Sequence, residues 1–169
     1  MSRYSALIAR AMGFPEKFCE NILLASPMHD IGKLGVPDAI LGKPATLDRE
    51  EWEEMRKHTL YGAEILKGSE NELIRMSEKI ALCHHEKYDG SGYPQGLKGE
   101  DIPIEGRITA LADVFDALTS KRVYKEKYAL EETLKIIREG KGRHFDPRVV
   151  EAFEGALPGL VEVMREHAD

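Results

Sequence analysis

His84-His85-Glu86-Lys87-Tyr88-Asp89-Gly90-Ser91-Gly92-Tyr93-Pro94 closes a helical pattern and opens a glycine-rich loop. Adjacent side chains on an α-helix point about 100° apart, so two neighbouring imidazoles reach one ion only near a helix end or bend. The loop supplies that end. Gly90 and Gly92 accept left-handed backbone, and Pro94 fixes its own φ. Taken alone, the pair fits two surface histidines before an ordinary turn equally well.

Upstream of the pair, residues 71 to 85 carry a helical stripe of Leu73, Met76, Ile80 and Cys83, in which Cys83 reads as packing rather than as a ligand. Downstream, the loop from Lys87 to Pro103 has no helical period. A loop of that length in a compact domain is usually a binding or lid element. Pro103 then starts the most hydrophobic helix, with Ile104, Ile108, Leu111, Phe115 and Leu118 on one face and small residues beside Asp113 on the other. A carboxylate on such a helix must be paired, hydrogen-bonded or bound to metal, because burying it alone is too costly. Asp116 is close enough to support a neighbour instead.

The amino-terminal part reads as a helix from Ser2 to Met12 stopped by Gly13, then a second with Pro15 at its first position. Pro27 removes a donor just ahead of His29-Asp30-Ile31-Gly32-Lys33, which predicts a kink there. An adjacent His and Asp at a helix end can ligate metal together, and a carboxylate has two oxygens with which to bridge two ions. An isolated pair of this kind more often starts a turn, with Gly32 giving a tight exit. Asp48 with Glu51 forms a capping-box pattern, and the helix it opens carries Trp52, Met55, Leu60, Ile65 and Leu66 as apolar contacts with His58 in its middle. Lys121, Arg122, Lys125 and Lys127 form a basic run that suits either a solvated connector or a phosphate clamp. Leu130 to Glu139 is an amphipathic helix, and Asp146-Pro147 and Pro158 open the last two. His144 reads as a loop anchor.

The chain has 169 residues, 42% hydrophobic and 32% charged, which fits one globular domain and argues against disorder. Its net charge of −6 makes broad binding to DNA or RNA backbones improbable, so any phosphate compound must meet local positive charge. Cys19 and Cys83 lie far apart and form no CxxC pair, so neither a disulfide framework nor a zinc ribbon is expected. With no apolar run of membrane length and no signal peptide visible, the expected location is cytoplasmic.

Together, His29-Asp30, His58, His84-His85 and Asp113 stand in an order that resembles the HD superfamily of metal-dependent phosphohydrolases. His29 to Lys33 with Pro37, and His84-His85-Glu86 followed by Asp89 to Pro94, look like the HD-GYP family. Asp113 to Thr119 and Phe145-Asp146-Pro147 match its later motifs. The resemblance runs through nearly the whole chain. It implies an all-α HD-domain helical bundle over residues 1–169 with a long glycine-rich loop. The activity it implies is hydrolysis of cyclic di-GMP, a bacterial second messenger, to linear pGpG and in some relatives on to GMP.

Carried over by position, the resemblance implies one ion held by His29, Asp30 and Asp113 and another by His58, His84, His85 and the shared Asp30. The ions would be two or three in number and Fe or Mn by identity. Lys33 and Arg122 match positions near the phosphates, and Gly92, Tyr93 and Pro94 form the substrate-side loop. The family carries a further histidine ligand on the first helix, one turn or more upstream of the point matching Met1. Excision from a larger signalling protein with a receiver or sensor module is therefore the expectation. Two rival readings stand beside this one. An HD phosphohydrolase could act on another nucleotide, or the loop could serve as a docking surface for a GGDEF-type synthase. A homodimer is among the assemblies left open.

Overall fold

The computed structural model describes residues 1–120 and 128–166. The described residues are helix and loop, and the only β-type contact among them is an isolated bridge between Lys141 and Phe145. α1 (Ser2–Ala11) and α2 (Glu16–Ala25) pack against each other around the turn at Gly13, whose φ of 82° suits glycine. After α3 (Asp38–Leu41) come α4 (Arg49–Arg56), α5 (His58–Leu66) and α6 (Glu72–Cys83). α7 (Ile104–Thr119), α8 (Leu130–Glu139), α9 (Pro147–Gly155) and α10 (Leu157–Glu166) complete the bundle.

The core lies where the apolar stripes of α1, α2, α6, α7, α8, α9 and α10 meet. Ile8, Ile22, Ile80, Ile108, Leu111, Ile137, Val149 and Leu160 are fully buried there. Phe115 sits between Tyr4 and Phe153, with edge-to-face ring contacts at 5.0 and 5.1 Å. The expected starts are seen in the caps. Asp48 and Glu51 form a reciprocal capping box, Asn71 accepts from Leu73 N, and Asp146 accepts from Arg148 N ahead of Pro147.

Three local expectations need correction. The chain at Pro27 does more than kink, because α2 stops at Ala25 and residues Ser26–Gly35 wind as a ten-residue 3-10 helix. Such a run is long for this geometry, and its packing explains it. A Cβ on Gly32 would lie 1.8 Å from the His58 carbonyl oxygen and 2.3 Å from Gly62 N, so this segment lies directly on the α5 backbone. Second, the single helix expected after Asp48 is broken at Lys57, which places His58 at the start of α5 and not mid-helix. Third, Trp52, Leu60 and Ile65 face outward at about half exposure, while Leu66 is buried.

Candidate metal centre

Four segments bring the candidate ligands together: the 3-10 helix (His29, Asp30), the start of α5 (His58), the turn after α6 (His84, His85) and α7 (Asp113). Asp30 stands between them. Its Oδ1 lies 3.5 Å from His58 Nε2 and 3.9 Å from His84 Nε2, and its Oδ2 lies 3.3 Å from His29 Nε2. His29 Nε2 is also 3.7 Å from Asp113 Oδ1. One ligand atom each of His58, His84 and His85 falls within a mutual 4.8 Å.

The backbone decides which nitrogen of each ring faces inward. Nδ1 of His29 lies 2.9 Å from Ser26 O, that of His58 lies 2.8 Å from Met55 O, and that of His84 lies 3.0 Å from Ile80 O. A carbonyl only accepts, so each Nδ1–H donates, and each neutral ring turns an Nε2 lone pair to the centre. Nε2 of His58 and of His84 are only 3.4 Å apart, and two lone pairs cannot hydrogen-bond to each other. The arrangement therefore collects acceptors that a cation would satisfy. Imidazole nitrogen and carboxylate oxygen without thiolate suit a divalent first-row metal. The residues present fit such an ion.

Charge follows the same geometry. Burial pushes His58 and His84 below the usual imidazole range and His85 down to about 3, so these rings are neutral near pH 7. For His29 burial also acts downward, but Asp30 and Asp113 outweigh it and the net direction is up. Burial acts upward on Asp30, yet His29 and Lys33 outweigh it and hold the carboxyl well below the usual carboxylate range. Lys33 Nζ sits 2.6 Å from Asp30 Oδ2, so an ammonium already rests on the carboxylate.

The loop after His85 is fastened from beneath. Glu86 is almost fully buried, and its two oxygens accept from Gln95 N at 2.8 Å and Leu97 N at 3.1 Å. Gly92 lies against the Glu86–Lys87 backbone, where a Cβ would come within 2.3 Å of Lys87 N. Tyr88 N and Asp89 N donate to the carbonyls of His144 and Arg143, which bears out the anchoring expected of His144. Tyr93, in a cis bond to Pro94, stacks on His85 with ring centroids 4.8 Å apart and 22° between planes. The Arg56 guanidinium lies over the Tyr93 ring, 4.4 Å from its centroid.

His29, Asp30, His58, His84, His85 and Asp113 are thus gathered, with Lys33 beside Asp30 and Gly92-Tyr93-Pro94 along one side. Arg122 falls outside the described residues. Sequence reasoning missed Glu86 and Arg56. The only available signals were a carboxylate directly after the paired histidines and a cation two residues ahead of His58.

A family model described as HD domain matches residues 1–149. The chain belongs to the HD domain family. That bears out the family read from its motifs, and this family implies divalent metal binding. The HD domain is 51% identical over 148 residues to the 3'3'-cGAMP-specific phosphodiesterase 2 of Vibrio cholerae, covering 88% of this chain and 28% of that protein. It is 48% identical to the cyclic di-GMP phosphodiesterase response regulator RpfG of Xanthomonas campestris, covering 90% of this chain and 40% of that one. Against a cyclic di-GMP phosphodiesterase of Thermotoga maritima the identity is 47%, over 98% of this chain and 45% of that protein. The HD domain described here therefore spans less than half the length of these relatives. A crystal structure of a cyclic GMP-AMP-specific phosphodiesterase of V. cholerae superposes with a TM-score of 0.70 at 20% identity. It covers 98% of this chain and 46% of that one, and shares the HD fold. No helix among the described residues is long and apolar enough to cross a membrane.

Proposed function

We propose that residues 1–169 form the catalytic domain of a metal-dependent phosphodiesterase that hydrolyses cyclic di-GMP to pGpG, with GMP as a further product. One observation carries this reading. The two oxygens of Asp30 face separate sets of imidazole nitrogens, with His58 and His84 on one side and His29 on the other. The names of the relatives above supply the substrate class.

In this reading His29, Asp30 and Asp113 would hold one ion, and His58, His84, His85 and Asp30 the other, with Fe or Mn favoured by the donor set. Divalent ions held there supply Lewis acidity toward a phosphodiester and toward water. The residues of the chain do the rest. The Nδ1–H bonds fix the tautomer of each imidazole and keep it aimed, as the partners of a metal-binding histidine do. Lys33 turns from Asp30 to a phosphate oxygen, where a charge-assisted contact stabilises developing negative charge. Arg122 serves a phosphate in the same way. Gly92, Tyr93 and Pro94 form the substrate-side wall, held in place by Glu86.

The test is turnover on protein loaded anaerobically with Fe(II) or Mn(II), with products separated by chromatography. Conversion of cyclic di-GMP to pGpG supports the proposal, and intact substrate under both loadings overturns it. Identity of 51% to a protein named for 3'3'-cGAMP favours one second reading, in which the mixed dinucleotide is the better substrate. Parallel assays with the two compounds separate these readings.

A further inference from the structure

Arg56 belongs to no ligand set, yet it forms the outermost layer of a stack that starts at the metal centre. Tyr93 lies on His85, and the Arg56 guanidinium lies on Tyr93. With an imidazole and a guanidinium both on its ring, Tyr93 has little face left for a nucleobase, and the next surface offered is Arg56.

The donors of Arg56 are unequally committed. Nη1 donates to both oxygens of Glu53, at 3.1 and 3.4 Å. Nε and Nη2 have no hydrogen-bond partner among the described residues, and about a third of the side chain is exposed. Those two nitrogens share one edge of the guanidinium and present two parallel N–H donors. Guanine offers two adjacent acceptors, O6 and N7, that match this edge. Adenine offers N7 beside an N6 donor, which does not.

Building on the phosphodiesterase reading above, we propose that Arg56 binds the guanine edge of the substrate and sets a preference for guanine over adenine. The reacting phosphorus would lie against the ions that the Nε2 atoms and the Asp30 oxygens hold. Arg56 is joined to His85 through the Tyr93 ring, so a nucleotide whose phosphate meets those ions has its base within reach of Arg56.

The experiment compares wild type with Arg56→Gln and Arg56→Lys, using cyclic di-GMP and cyclic di-AMP as probes. Affinities are measured by calorimetry on metal-loaded protein with non-hydrolysable phosphorothioate analogues of the two dinucleotides, and KM and kcat are measured on the same protein with the natural compounds. For Arg56→Gln the expected result is a loss of roughly ten- to a hundredfold in affinity for cyclic di-GMP, with a matching rise in KM. Metal content and kcat should change little, and cyclic di-AMP binding should not change. Arg56→Lys should not rescue, because an ammonium lacks the planar fork. Equal loss with both dinucleotides, or rescue by Lys, would identify a phosphate contact made by charge and overturn the proposal. Unchanged affinity in Arg56→Gln, or no binding of cyclic di-GMP by wild type, overturns it as well. Binding without hydrolysis in wild type overturns the activity and leaves the role of Arg56 standing. A thermal melt of each variant shows whether a loss comes from unfolding, and the Lys variant keeps the test open if Gln unfolds.

Discussion

Three residues lend themselves to direct tests. Asp30 faces both imidazole sets, so Asp30→Ala should remove more than one equivalent of bound metal, read by elemental analysis after desalting. Retention of all the metal would return Asp30 to a helix terminator. Glu86 is a buried carboxylate whose role is to hold two loop amides. Hydrogen bonds to a charged group contribute roughly 1.5–3 kcal/mol each, so Glu86→Ala should cost about 3–6 kcal/mol in urea unfolding and loosen Tyr93 from His85. Glu86→Gln keeps one acceptor and should cost less. His144 provides a pH test away from the metal centre. Burial lowers it to about 4, below the usual value near 6.5, so the folded state favours the neutral ring. Its contribution is complete above the unfolded value and is lost as pH falls toward 4, because the unfolded chain takes the proton first. Between pH 7 and 5 the wild type should therefore lose up to about 2 kcal/mol more than His144→Gln, measured by denaturant titration at each pH. Parallel losses would mean that His144 is solvated in both states.

The 3-10 helix Ser26–Gly35 is the element on which the centre depends, because it brings His29 and Asp30 against α5. Contact at Gly32 sets that approach. Gly32→Ala would push a methyl group into the His58 carbonyl, and backbone cannot give way as a flexible side chain can. Overpacking costs typically 1–3 kcal/mol, and a backbone clash of this depth should reach at least the upper end. The expected outcome is a lower melting temperature together with loss of metal, since Asp30 and His58 must separate. A variant with normal melting and full metal content would show that the segment can shift freely. The break at Lys57 has a related consequence. It starts α5 at His58, so the ring is aimed by the Met55 carbonyl one turn earlier.

For the whole molecule, the centre joins the 3-10 helix, α5, the end of α6 and α7, so an ion there ties separate parts of the bundle together. An ion that binds only the folded chain stabilises it by about 2.7 kcal/mol at a hundredfold excess over Kd. For a domain of this length each kcal/mol moves Tm by about 2–4 °C, so saturating Mn(II) should raise Tm by roughly 5–10 °C over chelator-treated protein. Asp30→Ala should show little of this shift. An equal shift in wild type and variant would place the stabilising metal elsewhere.

The sequence by itself determined the helical class and the capped starts at Asp48 and Asp146. These features are local, because a cap or an apolar stripe is written within a few residues of where it acts. The tertiary structure alone decided the rest. A proline predicts a missing donor, but the 3-10 winding follows from Gly32 meeting the backbone of His58, twenty-six residues away. Trp52, Leu60 and Ile65 match an apolar stripe yet face outward, since periodicity does not say which face finds a partner. Glu86 and Arg56 take their roles from the amides of Gln95 and Leu97 and from the ring of Tyr93. Those partners lie across a loop whose path no local pattern specifies, and only the folded chain brings them into reach.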